Sequence, residues 1–280
     1  MQNQTSPLIL TFGVLDPVGA CGVTADLAAF AALGCHGLSV TTGLLIGDTA
    51  RVEDIYEIDA DWMVDQARVL LEDMPVAAFK VGALVSVEQA SAIAEIVSDY
   101  PDVPLILDPF VSCLPDSGLA DEDMLMAIRQ ILIPQATVLL ISQVELGRLA
   151  ETWREPIEDD VLALDVGELT ETGCEFVLVT GTAATPAGAR TNTLFSADGV
   201  VLEARWQHLP GAFSGAGSTM SAALAALMAQ QMDALEAVKT AQVFTVGALD
   251  QAQRFGMGKL VPNKFFGPPE AATHTSTELP

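Results

Sequence analysis

Positive charge is scarce in this sequence. Twelve lysines and arginines stand against 37 aspartates and glutamates, for a formal charge of −25. A surface of that sign repels phosphate backbones and anionic headgroups, so nucleic acid and membrane partners are excluded. Cysteine is also rare. Cys21, Cys35, Cys113 and Cys174 are scattered without a C-x-x-C pair or metal-like spacing, which leaves them as small, reduced, buried residues. Residues 1–5 lack a basic n-region, and no apolar run reaches membrane-spanning length, so a cytoplasmic location is expected. His36, His208 and His274 lie too far apart to suggest a shared site and read as structural or surface residues. There is no Walker A loop, no complete G-x-G-x-x-G and no Ser-His-Asp order.

What the chain does have is apolar content. Half of its residues are hydrophobic, enough for a large core, and 280 residues suit one α/β unit. Short apolar runs at 8–14, 37–45, 77–81, 104–107, 137–141 and 175–180 read as strands. They alternate with helical patterns near 23–33, 60–72, 87–98 and 121–131, and with two further helical stretches before residue 175. Residues 192–206 read as a β-hairpin turning at Asp198-Gly199. A helix follows Gly217 and a last one covers 234–253. Strands separated by helices imply parallel pairing with right-handed crossovers, hence a three-layer α/β/α sandwich. The expected organisation is one domain over 1–267 with a polar tail at 268–280, and functional residues just beyond the C-terminal strand ends.

Several strand ends carry suitable residues. Ser214-Gly215-Ala216-Gly217-Ser218 opens an amphipathic helix, where glycine lets backbone N–H groups converge and the helix dipole adds positive charge. That suits the charge developing on a transferring phosphoryl group, although an ordinary glycine-rich helix start has the same spacing. Asp16-Pro17-Val18-Gly19-Ala20-Cys21-Gly22 links the first strand to the first helix, with Asp26 a turn further on. Asp108 ends a buried strand and can hold a metal ion or cap the turn before Pro109; Glu145 can face magnesium or simply start a helix. Lys80, one of four lysines, sits in an apolar strand, placed either to meet an anion or to snorkel from a sheet edge.

Taken in order, these segments resemble the hydroxymethylpyrimidine/phosphomethylpyrimidine kinases, within the ribokinase-like group that includes pyridoxal kinases. Asp16-Pro17-x-Gly19-x-x-Gly22-x-x-Ala25-Asp26 matches the family's D-P-x-G-x-x-G-x-x-A-D. Lys80-Val81-Gly82 resembles its K-I-G, Asp108-Pro109 its D-P-V, and Leu209-Pro210-Gly211 with Ser214–Thr219 its L-P-G and H-G-[ST]-G-C-T. The resemblance implies a ribokinase-like fold, ATP and Mg2+, and phosphorylation of a hydroxymethylpyrimidine or its monophosphate, a small-molecule substrate, by a homodimer. It assigns Ser218, Gly215, Ala216 and Gly217 to catalysis. Thr180, Gly181, Ser214, Gly215 and Gly217 go to the nucleotide, and Asp108 and Glu145 to the metal. Asp16, Gly19, Asp26, Gly47, Ala83 and Phe110 go to the substrate.

The sequence departs from the family where chemistry is done. Ser218 replaces the cysteine of the glycine-rich loop and Ser214 its histidine. Gly47 stands where a pyrimidine-reading Gln or Glu is usual, Ala83 replaces a methionine, and Ser142 the asparagine before Glu145. An alcohol is a far weaker acid than a thiol, and losing a general base costs about 10²–10⁴ in rate. Two readings follow: a kinase of altered substrate or reduced activity, and a silent paralogue that binds a nucleotide or pyrimidine-like ligand.

Overall fold

A computed structural model describes residues 6–109, 122–150, 161–185 and 188–266. Nine strands form one sheet: β1 (Leu8–Leu15), β2 (His36–Gly47), β3 (Val52–Glu57), β4 (Ala78–Val81), β5 (Leu105–Leu107), β6 (Val138–Ser142), β7 (Phe176–Ala184), β8 (Ala189–Ser196) and β9 (Gly199–Gln207). Their spatial order is β3-β2-β1-β4-β5-β6-β7-β8-β9. From β2 to β7 all neighbours are parallel; β3, β8 and β9 add antiparallel edges.

Alternation along the central strands builds the layers. Leu10, Phe12, Phe79, Leu105, Leu107, Leu139 and Val177 face one core. There they meet α2 (Ala60–Asp73), α3 (Val87–Ser98), α4 (Glu122–Ala127), α5 (Gln143–Leu149) and α6 (Val161–Glu171). Ile9, Ala78, Ile106, Val138, Leu140 and Leu178 point the other way, onto α1 (Gly22–Ala32), α7 (Ala216–Ala229) and α8 (Ala234–Asp250). Successive side chains of a strand point to opposite faces, so runs buried on both sides are apolar almost throughout, with Thr11 of β1 and Lys80 of β4 as polar members. The expected three-layer sandwich is observed.

Three details differ from the sequence reading. β3 was not anticipated: it is an edge strand with four of its six residues exposed, so it lacks the apolar alternation of a half-buried strand. β7 does not stop at residue 180 but bends at Gly181 and resumes pairing at Ala183, opposite Thr191. Helix α4 gives way at Ile128 to a wider π turn and then to a 3-10 turn ending at Gln135. The 268–280 segment and Phe110 lie outside the described residues.

Candidate functional site

The loop between β1 and α1 is organised by Asp16. Its Oδ1 accepts from the N–H of Val18 at 2.9 Å, and its Oδ2 from Ala20 at 2.9 Å and Cys21 at 3.0 Å. The carboxylate thus shapes the loop, with Gly19 at its turn, and leaves little capacity for direct substrate contact. Burial and then the charge of Asp16 push the Cys21 thiol pKa up, so that thiol is inert near neutrality.

The glycine-rich segment meets this loop directly. Gly215 caps α7 with φ 80°, a left-handed conformation that favours glycine. A Cβ there would overlap the carbonyl oxygen of Ala20, so only glycine lets the two loops touch. The first N–H groups of a helix have no partner within it, so those of Ala216, Gly217 and Ser218 are available at the α7 start. Ser218 is buried there, while Ser214 is fixed through its N–H to the carbonyl of Leu260 at 2.9 Å.

Beneath the two loops lies a buried charge cluster. Lys80 is on β4, between β1 and β5, so it is far from any sheet edge and does not snorkel. Its Nζ donates to Asp26 Oδ2 at 2.9 Å, and Thr11 Oγ1 donates to the same oxygen at 2.7 Å. Burial works against the Lys80 charge, but Asp26 and Asp108 outweigh it and raise the pKa. Asp26 Oδ1 is buried without a hydrogen-bond partner. Asp108 Oδ2 accepts from Ser221 Oγ on α7 at 2.7 Å. Burial, only partly offset by Lys80 and Ser221, lifts the Asp108 pKa to about 6, and the nearby Glu145 adds to the rise.

Glu145 does serve as a helix-start residue. Its Oε2 accepts from the N–H and the Oγ of Ser142, both at 2.8 Å, in a reciprocal capping box. It is also close enough to repel Asp108. Two carboxylates whose charges act on each other fit a magnesium ion, which binds through one or two carboxylates plus phosphates and water. Among the described residues no cluster of three or more metal-ligating side chains exists, so an all-protein metal cage is absent from them.

On the other side of the α7 start lies a cavity of about 320 Å³. Thr180, Gly181, Asn192, Trp206, His208 and Gly217 are among its lining residues. The Asn192 side chain accepts from Gly181 N–H and donates to Gln242 Oε1, both at 3.0 Å, so that wall is internally satisfied. The Trp206 Nε1 is buried and has no partner, and its ring lies 6.1 Å from that of His208.

Gly47 ends β2 in the β2–β3 hairpin, whose turn Asp48 closes by accepting from the N–H groups of Ala50 and Arg51. A Cβ at Gly47 would stand 2.7 Å from Arg51 O, so this bulge has no room for a reading side chain. Ala83 packs with Val14, Cys21 and Leu45 in a small apolar cluster beside the Asp16 loop.

The fold therefore gathers most of the expected residues around one end of α7. Asp16, Gly19 and Asp26 come from the β1–α1 side, Asp108 and Glu145 from just beyond the ends of β5 and β6, and Thr180, Gly181 and Gly217 line the cavity. Sequence reading missed Trp206 and the place of His208 at the cavity. The tryptophan sits near the end of β9 and the exposed histidine just past it, a pattern indistinguishable from ordinary strand packing without the partner helices.

A family model described as phosphomethylpyrimidine kinase matches residues 16–263. The hydroxymethylpyrimidine/phosphomethylpyrimidine kinase of Salmonella typhimurium is 29% identical over 250 residues, covering 89% of this chain and 93% of that one. Among solved structures, an ADP complex of Bacillus subtilis pyridoxal kinase superposes with a TM-score of 0.83 at 21% identity, over 93% of this chain and 98% of that one. A phosphomethylpyrimidine kinase from Clostridium difficile gives 0.72 at 23% identity, over 87% and 100%.

Proposed function

The chain belongs to the phosphomethylpyrimidine kinase family, and on that premise we propose that it transfers the terminal phosphoryl group of ATP to the hydroxymethyl group of an aminopyrimidine, or to the phosphate such a group already carries. The observation that carries this reading is the seating of Gly215 on Ala20. It brings the Asp16 loop and the start of α7 together, with a cavity of nucleobase dimensions beside them.

The chemistry follows from position and charge. The N–H groups of Ala216, Gly217 and Ser218 receive the terminal phosphate oxygens, with Ser214 and Gly215 shaping the approach. Phosphoryl transfer depends mostly on such fixed dipoles, so the exchange of cysteine for Ser218 slows the reaction without abolishing it. Thr180, Gly181 and Gly217 border the nucleotide, and the unpartnered Trp206 Nε1 is free to donate to it. Asp108 and Glu145 would hold Mg2+, which when bound neutralises charge on the phosphates. The acceptor is placed over the Asp16 loop, on the side of Gly19, Gly47 and Ala83, with Asp26 buried beneath it as the charge whose Oδ1 has no partner. Without a side chain at Gly47, this pocket reads the ring by shape and backbone.

A cytoplasmic location is part of the proposal; among the described residues no helix is long and apolar enough to cross a membrane. We also propose a homodimer. Exposed Leu44, Trp62 and Val69 line one groove between β2 and α2, an apolar face of the kind that subunits cover. Sedimentation of the protein against its Trp62→Glu variant tests it.

The functional test is ADP release from Mg·ATP with hydroxymethylpyrimidine, its monophosphate and pyridoxal as acceptors. Acceptor-dependent turnover with one of the pyrimidines is expected. Binding of nucleotide without turnover on any acceptor would sink the kinase assignment.

A further inference from the structure

The last stretch of described chain carries a buried ammonium beside the phosphate-facing end of α7. Lys264 is 5% exposed, and its Nζ donates to the carbonyls of Gly19 at 3.3 Å and Ala20 at 3.4 Å. The Ala20 oxygen is the same atom on which Gly215 is seated. One carbonyl thus joins the Asp16 loop, the first turn of α7 and a lysine 49 positions beyond Gly215.

The backbone fixes this placement from several directions. Leu260 N–H donates to the Ala212 carbonyl at 2.8 Å, and Ser214 N–H donates back to Leu260 at 2.9 Å. Asn263 N–H donates to Ala248 at the end of α8 at 2.9 Å, which anchors the residue before the lysine. The same strap holds the hairpin turn, since Lys259 N–H donates to the Thr49 carbonyl at 2.8 Å.

None of the ion pairs of the described residues includes Lys264, although Lys80 close by has Asp26. Burial works against the Lys264 charge and lowers its pKa, with Asp26 and Asp16 offsetting only part of that cost, and the positive end of a helix next to it makes the place worse for a cation and better for an anion. The ammonium has three donors, and two are directed at carbonyls over rather long distances. An anion held at the α7 start takes the third donor and offsets the burial of the ammonium.

We propose that Lys264 is a catalytic residue that donates its remaining N–H to the transferring phosphoryl group of the nucleotide. The proposal rests on the kinase reading above and adds to it a cation from outside the glycine-rich loop. A lysine that merely clasps the Asp16 loop would support every ligand alike. One that touches the terminal phosphoryl group distinguishes a triphosphate from a diphosphate.

The test is calorimetry of ADP and of a β,γ-methylene ATP analogue, with magnesium, on the wild type and on Lys264→Gln. Glutamine can still donate to the Gly19 and Ala20 carbonyls but carries no charge. Loss of a charge-assisted hydrogen bond should weaken the analogue about tenfold or more, with ADP changed by less than about threefold. Lys264→Arg should keep more of the analogue affinity than Lys264→Gln, and serves as the comparison if the glutamine variant does not fold. Turnover should fall in both variants with KM for the acceptor unchanged. Equal weakening of both nucleotides, or none, overturns the role of Lys264 while leaving the kinase assignment standing. A wild type that binds neither nucleotide overturns the kinase assignment, and this contact with it.

Discussion

Lys80 Nζ and Asp26 Oδ2 face one another across 2.9 Å in the middle of the molecule, with side chains 1% and 0% exposed. The lysine comes from β4 and the aspartate from α1, so the pair ties the sheet to a flanking helix directly under the two loops of the site. Removing one member of a buried pair strands the other charge. Lys80→Met is expected to cost about 3–5 kcal/mol in urea unfolding. Lys80→Met combined with Asp26→Asn should cost less than the sum of the single changes, by about 2 kcal/mol or more. Additive losses would mean that the two charges do not depend on each other.

This pair also shows where reading a sequence stops. The match of Asp26 and Lys80 to a family pattern marks them as important, but their partnership joins residues 54 positions apart and needs the β1–β4 pairing to be seen. The layered fold was legible because fully buried parallel strands are apolar almost throughout, as in 138–141. Strand β3 was not, because an exposed edge leaves no hydrophobic period. In the site, glycines and carboxylates at strand ends could be named in advance. Whether a carboxylate faces a ligand or its own loop could not, and Asp16 turned out to do the latter. Lys264 gave no local signal, since its role depends on a carbonyl 244 positions away.

Asp108 should give the protein a measurable pH dependence. Its native pKa of about 6 is above the ordinary aspartate value, so the folded state holds this proton more tightly than the unfolded chain. The stabilising contribution is complete below about pH 4 and is lost as pH rises through 6. Asp108→Asn, which keeps an acceptor for Ser221, should match the wild type at pH 4. At pH 8 it should be more stable by up to about 3 kcal/mol. Urea midpoints at both pH values, with EDTA present, check the sign. Greater stability of the wild type at pH 8 would mean that Lys80 more than repays the burial of the carboxylate.

The two glycines at the head of α7 should respond differently. A side chain at Gly215 meets the Ala20 carbonyl and a φ of 80°, whereas nothing lies within 4 Å of a Cβ on Gly217. Gly215→Ala is therefore expected to lower Tm and to lose nucleotide binding. Gly217→Val should leave Tm nearly unchanged while its branched side chain obstructs the cavity that Gly217 lines. Calorimetry with Mg·ADP separates the two. Unaltered affinity in Gly217→Val would place the nucleotide elsewhere.

Trp206 offers an optical probe of the same cavity. The chain has three tryptophans, at 62, 153 and 206. A variant with Trp62→Phe and Trp153→Phe leaves only the indole that borders the cavity. ADP should change its emission with the same Kd that calorimetry gives, because stacking or a hydrogen bond to Nε1 alters the indole's surroundings. Emission indifferent to saturating ADP would remove Trp206 from the nucleotide site.

Ser218 is where this chain and its family differ most in reactivity. It is buried in the first turn of α7, where a helix N-terminus favours a thiolate over a thiol. If turnover is limited by the missing base, Ser218→Cys should raise it by at most about 10²–10³, since the N–H groups of the loop already provide the larger electrostatic contribution. The gain should grow with pH as the thiol ionises. Ser218→Ala should change turnover little, because a bare hydroxyl adds no basicity. Restoring a pyrimidine-reading glutamine at Gly47 is not a useful companion change, since its Cβ would press on the Arg51 carbonyl and open the hairpin. The base is therefore tested alone, on whichever acceptor the wild type phosphorylates. A Ser218→Cys variant no faster than the wild type at any pH would show that proton removal does not limit this enzyme. Abolition of activity by Ser218→Ala would instead make the hydroxyl a direct partner of the phosphoryl group.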